Sequence, residues 1–442
     1  MDCETGTRRN DCAKHQWPRH DACFWVSGGG ISGLMSSLPN LLTQYQPGFG
    51  LPREFYQSKE VYQAEIERIW RRGWLFVGHA CQLPKPGDYF VFEMDTDAII
   101  IARAETDAIV AFHNVCRHRG SLVVTTPTGH ARRLVCPYHQ WMYALDGSLQ
   151  TCRGMPETLD KELYGLLPVQ VREVAGLIFI SLAASPPDFE PAQKILASLA
   201  QPQGFERARV AHSVDYTIRA NWKLIWENNR ECYHCDACHP QYIQANFDRY
   251  DAENLSEAIA RQIALATERS RARWEAQGLE APPVHAGLFH FPDAANNIWY
   301  SANRTALAEG YVTESLNGQR VAPLMGAYTD EEVGTLRLRT LPNFWNHSSC
   351  DHAVSTWFAP AGPGLTRLRV MWLVAETAQV ERDYVLENLL PFWQLTSEQD
   401  WEICERVQRG VNSSAYQPGP LSPSKEYNVD DFLRWYIRQL SQ

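Results

Sequence analysis

Between residues 73 and 184 the apolar positions fall in short β-type runs: Gly73-Trp74-Leu75-Phe76-Val77, Tyr89-Phe90-Val91-Phe92, Ala98-Ile99-Ile100-Ile101 and Ile178-Phe179-Ile180-Ser181-Leu182. Runs of this kind, rich in aromatic and β-branched residues, predict strands. Asp146-Gly147, set between Tyr143-Ala144-Leu145 and Ser148-Leu149, predicts a tight hairpin. Residues 73–186 therefore read as a compact all-β domain. Ahead of it, Val61, Ile66 and Ile69-Trp70 space a helical segment over 35–72, expected to pack on the C-terminal domain. Pro186, Pro187, Pro191 and Pro202 make 186–204 resemble a linker. Beyond it, helical stretches at 221–238, 254–274 and 378–409 alternate with strand-like runs. Thr335 to Leu341, Ala353 to Phe358 and Leu365 to Val374 predict an antiparallel sheet. The fold class expected is α+β, an all-β domain followed by a helix-flanked sheet over 187–442.

The first 34 residues differ from the rest. Gly28, Gly30 and Gly33 satisfy G-x-G-x-x-G, but only Phe24-Trp25-Val26 precedes them and Pro39 interrupts the segment after them. A dinucleotide site needs a strand before that turn and a clean helix after it. The expectation is a disordered extension, with translation beginning at Met35.

Composition narrows the function. A chain of 442 residues, 45% hydrophobic and 21% charged, is that of a globular protein large enough for more than one core. A net charge of −10 argues against a nucleic-acid partner. No run of about 18 apolar residues and no signal peptide is visible, so no membrane partner and a cytoplasmic location are expected. Twelve cysteines are too sparse for a disulfide scaffold and read as reduced thiols or metal ligands.

Two stretches carry chemistry. Cys116-Arg117-His118-Arg119-Gly120 is C-x-H, and Cys136-Pro137-Tyr138-His139 is C-x-x-H. Two thiolates and two imidazoles on two loops can hold a 2Fe–2S cluster, the cysteines on one iron and the histidines on the other. A structural zinc fits worse, because zinc fingers group like ligands together. Four unrelated core residues is the remaining reading.

The second stretch runs from Asn221 to Ile243. Glu231 and His234, at i and i+3, share a helical face, and Pro240 sharply ends the helix at His239. Two histidines and a carboxylate form the facial triad of mononuclear Fe(II). The third ligand is either Glu231 or a distant carboxylate. The best distant candidate is Asp400, on one face with Ile403, Cys404 and Val407, while Glu398, Glu402, Glu405 and Arg409 lie mostly opposite. Cys232, Cys235 and Cys238 lack a fourth cysteine for a cubane cluster and read as core or pocket thiols.

With the motifs C-R-H-R-G, C-P-Y-H-Q-W, N-W-K and E-N-N-R-E-C-Y-H, the chain from about residue 50 onward resembles the Rieske non-haem iron oxygenases, the ring-hydroxylating α-subunit family. The resemblance implies that Cys116, His118, Cys136 and His139 hold the cluster and that His234, His239 and Asp400 hold the iron. It implies that Glu231 bridges His234 to a Rieske histidine of a neighbouring subunit in a homotrimer. Asn228 matches an asparagine near the iron. A flavin or ferredoxin-type reductase fed by NAD(P)H would supply electrons, and dioxygen is the co-substrate. Ring-hydroxylating members commonly have Asp at the bridging position, whereas Glu231 looks like the quaternary-amine branch, whose members act on glycine betaine, proline betaine, carnitine or choline. The implied reaction is N-demethylation of a small cationic N-methylated substrate with release of formaldehyde. Aromatic faces hold such cations, and Phe289, Trp299, Tyr300, Phe344, Trp345 and Trp357 are candidates. An aromatic-ring dioxygenase or O-demethylase on the same scaffold, and a non-catalytic electron-transfer protein, are the alternatives.

Overall fold

Strand-forming runs become strands here because each finds a partner for its backbone groups. The computed structural model describes residues 37–250, 255–280 and 299–442; the first 34 residues with their glycine motif, and Phe289, lie outside these. Seven antiparallel strands form the first sheet: β1 (Leu75–His79), β2 (Asp88–Met94), β3 (Asp97–Arg103), β4 (Ile109–His113), β5 (Thr128–His130), β9 (Pro168–Val174) and β10 (Leu177–Ser181). Their order is β1-β10-β9-β4-β3-β2-β5. A small second sheet, β6 (Leu134–Val135), β7 (Met142–Tyr143) and β8 (Leu149–Thr151), contains the expected hairpin. Gly147 sits there at φ +85°, where a side chain would also collide with the Phe112 ring.

The third sheet is six-stranded and antiparallel. It comprises β11 (Ala208–Ile218), β12 (Tyr300–Thr305), β13 (Thr335–Thr340), β14 (Phe344–Ser348), β15 (His352–Gly362) and β16 (Leu365–Ala375), in the order β11-β16-β15-β14-β13-β12. With helices at Glu257–Ala276, Pro391–Val411 and Tyr427–Ser441, the fold is α+β. Among the described residues no helix is long and apolar enough to cross a membrane.

Period-two alternation sorts this sheet into two faces with different tasks. Leu336, Leu338, Phe344, Ala353, Met371 and Leu373 share one core with Trp74, Phe76, Leu177 and Phe179 of the first sheet. Phe76 stacks on Phe344 at 3.9 Å, and the Asn343 side chain pairs both backbone polar groups of Phe76, at 2.9 and 2.8 Å. The opposite face turns Arg337, Trp345, His347 and Thr356 toward the helices that carry the metal-ligand candidates.

Three expectations need correction, the first being the helical stretch over 378–409, which begins only with the short helix Leu386–Leu389 and runs on as Pro391–Val411. Residues 186–204 are largely a helix, Glu190–Ala200, not a linker. Pro191 occupies its first turn, where a missing N–H costs nothing, and Leu196 and Leu199 are buried in the junction core. The helix expected over 221–238 stops at Asn229, and only short turns of helix, Cys235–Cys238 and Pro240–Ala245, come after it.

His79 lies wholly buried at the junction, with its Nε2 2.8 Å from Ser355 Oγ and its Nδ1 without a partner. Burial pushes its imidazole down to about 3. An unfolded histidine takes up a proton near pH ~6.5, so below that the unfolded chain holds the extra proton. Stability therefore falls with acidification across the window between those two values, by up to about 1.4 kcal/mol per pH unit. We expect His79→Gln to flatten the fall of Tm measured between about pH 6.5 and 4.5. Parallel curves for the two proteins would assign the slope to other groups.

Candidate metal centres

The first centre is built from two loops of the same design. Cys116 and Cys136 each accept a hydrogen bond at their carbonyl from the residue four ahead, Gly120 and Gln140, both at 3.0 Å. Each N–H in turn reaches the carbonyl five ahead, Ser121 at 2.8 Å and Trp141 at 2.9 Å. Gly120 and Gln140 both adopt left-handed backbone, at φ +75° and +59°. The fold thus presents the sequence's C-x-H and C-x-x-H as matching hooks, with sulfur at the base and imidazole at the tip.

Both sulfurs are buried, and the Nδ1 atoms of His118 and His139 face each other at 3.2 Å. His118 lies flat on Trp141 at 4.9 Å, which fixes its ring. The Tyr143 hydroxyl is 3.3 Å from Cys116 Sγ. Burial opposes ionisation of Cys136, but the backbone N–H groups of Tyr138 and His139 outweigh it and pull the thiol below its ordinary value. Paired sulfurs under N–H donors, facing paired imidazoles, fit an asymmetric two-iron cluster.

The second centre uses three segments. Asn221 caps the helix Trp222–Asn229 by accepting from Lys223 N at 3.0 Å. After that helix, the chain turns through Glu231 and His234. They meet as expected, His234 Nδ1 donating to Glu231 Oε1 at 2.5 Å, but on a turn and not on a helical face. Pro240 begins the next helical turn and does not merely end the previous one, which leaves His239 in a non-helical conformation at the join. Asp400 comes from the long helix Pro391–Val411. Its neighbours on the buried stripe are Ser397, Trp401 and Cys404, whereas Val407 is exposed, contrary to expectation.

Asp400 Oδ1 lies 2.8 Å from His239 Nε2 and 3.3 Å from His234 Nε2. Both imidazoles therefore aim the same nitrogen at one point. Each has its other nitrogen tied down, His234 to Glu231 and His239 to Gln399 Oε1 at 2.8 Å. Asn228 Nδ2 approaches His234 Nε2 at 3.4 Å. Burial would lower the His234 imidazole, but hydrogen bonds to Asp400 and Glu231 overcome it and raise it to about 10. Burial would raise Asp400, yet the two histidines hold it below the ordinary carboxylate range. Two carboxylates flanking His234, one of them also on His239, is the electrostatics of a cation site, and orienting bonds on both Nδ1 atoms are what metal-binding imidazoles require.

Glu231 is displaced from the convergence point: its carboxylate sits on the far nitrogen of His234, and its second oxygen accepts from Tyr233 N. The cysteines differ from expectation, since Cys232 and Cys235 are disulfide-bonded to each other, leaving Cys238 as a free thiol. Their sequence separation of three puts the sulfurs within bonding reach on the turn that carries His234.

A narrow cavity opens beside Asp400, lined by Asn228, Asn229, Trp345, His347, Trp393 and Trp401 among others. Its free space, about 30 Å³, suits a water molecule, so a larger guest enters by moving side chains. Of the aromatic candidates named from the sequence, Trp345 alone lines it. Phe344 packs on Phe76, Trp357 on Phe92, and Trp299 on Phe189 and Tyr300. Trp393 and Trp401 were missed, although they flank Asp400 on the buried stripe of its own helix. Gln399 was missed for want of any local signal.

A β domain with two matching Cys/His hooks, joined to a sheet that carries a two-histidine, one-carboxylate cluster, defines a Rieske-type oxygenase. Residues 73–169 match the Rieske [2Fe-2S] domain and residues 205–442 match the ring hydroxylating alpha subunit, catalytic domain. The chain belongs to this family, an oxygenase whose two domains are the kinds that bind a 2Fe–2S cluster and a mononuclear iron. It is 38% identical to the glycine betaine monooxygenase oxygenase subunit of Chromohalobacter salexigens, over 92% of this chain and 89% of that protein. Identity to the protein of the same description from Pseudomonas aeruginosa strain UCBPP-PA14 is 36%, over 93% and 94%. A solved quaternary ammonium Rieske monooxygenase matches with TM-score 0.66 at 22% identity, covering 91% of this chain and 98% of that one. Naphthalene 1,2-dioxygenase from Rhodococcus sp. matches with TM-score 0.58 at 19% identity, covering 88% and 94%. At such identities these two likenesses concern the fold alone.

Proposed function

We propose that this chain is the oxygenase component of a monooxygenase that hydroxylates an N-methyl group of a quaternary ammonium compound of the glycine betaine or proline betaine type. The observation that carries the reading is the placing of Trp345, Trp393 and Trp401 around the cavity at Asp400. A quaternary ammonium has no N–H to donate, so it is recognised by aromatic faces. The names of the relatives that align over nearly the whole chain support the same substrate class.

In this reading Cys116, Cys136, His118 and His139 hold the cluster, and His234, His239 and Asp400 hold the iron. When bound, the iron supplies dioxygen activation with electrons that the cluster delivers from a separate NAD(P)H-dependent reductase. The protein's part is placement. Glu231 and Gln399 lock both imidazoles so that Nε2 faces Asp400, and Asn228 stands beside His234. The tryptophans bring an N-methyl carbon to the iron side and exclude bulk water. Dioxygen, two electrons and two protons convert the methyl to hydroxymethyl and release water. The hydroxymethyl ammonium then expels formaldehyde and a proton, leaving a tertiary amine. Glu231, whose carboxylate lies on the outer nitrogen of His234, would bridge that histidine to a Rieske histidine of a neighbouring subunit and so complete the path of the electrons, in a working form proposed to be a homotrimer.

The test is product analysis. Purified protein with a reductase, NADH and dioxygen, offered a panel of betaines, should yield formaldehyde and demethylated amine in equal amounts. A cis-diol or phenol from an aromatic substrate, with no formaldehyde from any betaine, would replace this reading by ring hydroxylation.

A further inference from the structure

On the face of the six-stranded sheet that turns toward the metal-ligand helices, Asp248 and Glu314 stand against Arg337 and His347, but among the described residues no carboxylate pairs with Arg339. Across β12, β13 and β14 the register pairs Ser301 with Arg339 and Asn303 with Arg337. It then pairs Arg339 with Trp345 and Arg337 with His347. Arg337 is satisfied, at 2.7 Å from Asp248 and 3.0 Å from Asn246. Arg339 is not. Among the described residues no carboxylate lies within ion-pairing distance of it, and its buried Nε has no hydrogen-bond partner. Beside it, Asn303 is 2% exposed with neither amide atom bonded, and Ser301 is 9% exposed with a free hydroxyl.

Such a group of buried polar atoms is costly unless something completes it. Burial, then the nearby Arg337 charge, lowers the Arg339 guanidinium to about 10. Burial likewise disfavours the charged forms of His347 and Arg230, and the Arg339 charge adds to the effect at both. Arg339, Asn303 and Ser301 together therefore offer a cation, an amide and a hydroxyl to one group that can accept from all three. A carboxylate does all three.

We propose that Arg339, with Asn303 and Ser301, forms the subsite for the substrate's carboxylate. This inference rests on the quaternary-ammonium reading and deepens it, because it names the groups that hold the carboxylate of a betaine. Side chains directly opposed across a strand pair stand about 5 Å apart at Cβ, and Arg339 is the cross-strand neighbour of Trp345. That adjacency lets the Arg339 guanidinium take a carboxylate while the Trp345 face takes the ammonium of the same small molecule, as in glycine betaine or proline betaine. It disfavours choline, whose hydroxyl gives Arg339 no counter-charge.

The experiment measures binding calorimetrically to the oxidised holoenzyme, without reductase, using glycine betaine and tetramethylammonium as probes. Wild type should bind glycine betaine more tightly. Arg339→Gln should weaken glycine betaine by about 30-fold or more, as expected for removing one partner of a buried charge pair, and leave tetramethylammonium unchanged. Arg339→Lys, which keeps the charge, should recover part of the loss. Unchanged glycine betaine affinity in Arg339→Gln would overturn the subsite. So would equal weakening of both probes in both variants, which would make Arg339 a shaping residue only. Wild type that binds the two probes alike sinks the carboxylate subsite alone. Wild type that binds neither sinks the quaternary-ammonium reading itself.

Discussion

Asp400→Ala should strip the mononuclear iron and leave the visible spectrum of the Rieske cluster as it is in wild type. Iron per chain should drop by about one third, the share of a lone iron beside a two-iron cluster. The physical ground is the convergence of Asp400 Oδ1 and two Nε2 atoms within 2.8 and 3.3 Å. Without the carboxylate, two neutral imidazoles remain, and a dication loses both a donor atom and the negative charge facing it. Outer-sphere changes at metal sites cost about 10–100-fold in affinity, and loss of a ligand should exceed that range. The cluster loops share no segment with Asp400, so their spectrum is the internal control. Unchanged iron content in the purified variant would remove Asp400 from the triad.

Glu231→Gln separates orientation from electron transfer. The variant keeps a hydrogen-bond acceptor for His234 Nδ1 and should retain both metals. Turnover should nearly vanish. If Glu231 did no more than orient His234, the loss should stay within about 10–100-fold. A larger fall, with iron content intact, marks Glu231 as the route by which electrons arrive. The decisive measurement tracks oxidation of a pre-reduced cluster by dioxygen with substrate present. We expect that oxidation to slow by more than about 100-fold. Loss of iron instead would make Glu231 a ligand or a ligand's indispensable support.

The sequence displayed its strands and its metal-binding residue types clearly, for physical reasons that also explain what it hid. A half-buried strand must alternate or run apolar, so strands such as Leu75–His79, Thr335–Thr340 and Leu365–Ala375 were readable, whereas the more polar Ala208–Ile218 and Tyr300–Thr305 were not. The Cys/His pairs were legible because each lies within one loop. His234, His239 and Asp400 were found by residue type and apolar-face placement, but the 2.8 Å approach of Asp400 to His239 joins elements remote in sequence. The break after Asn229 was concealed because residues 230–238 retain helical spacing, while the Cys232–Cys235 disulfide that shapes the turn cannot be read from spacing alone. Pro191 and Pro240 misled by their ambiguity, since proline can end one segment or begin a helix. Arg339 gave no signal because an arginine in a strand is ordinarily solvated. Its lack of a partner emerges only when neighbouring strands and helices close over it.

The order of the site residues along the chain also sets a timetable for synthesis. Cys116 to His139 are on two loops of the first domain, whereas the ligands proposed for the mononuclear iron are residues 234, 239 and 400. A ribosome has made the complete cluster-binding unit long before it reaches the helix Pro391–Val411. Where the first domain folds at that point, a nascent or prematurely stopped chain acquires the electron-carrying centre while having no place to activate dioxygen. Redox competence precedes oxygen chemistry, and a fragment ending before that helix should be coloured but inert toward dioxygen.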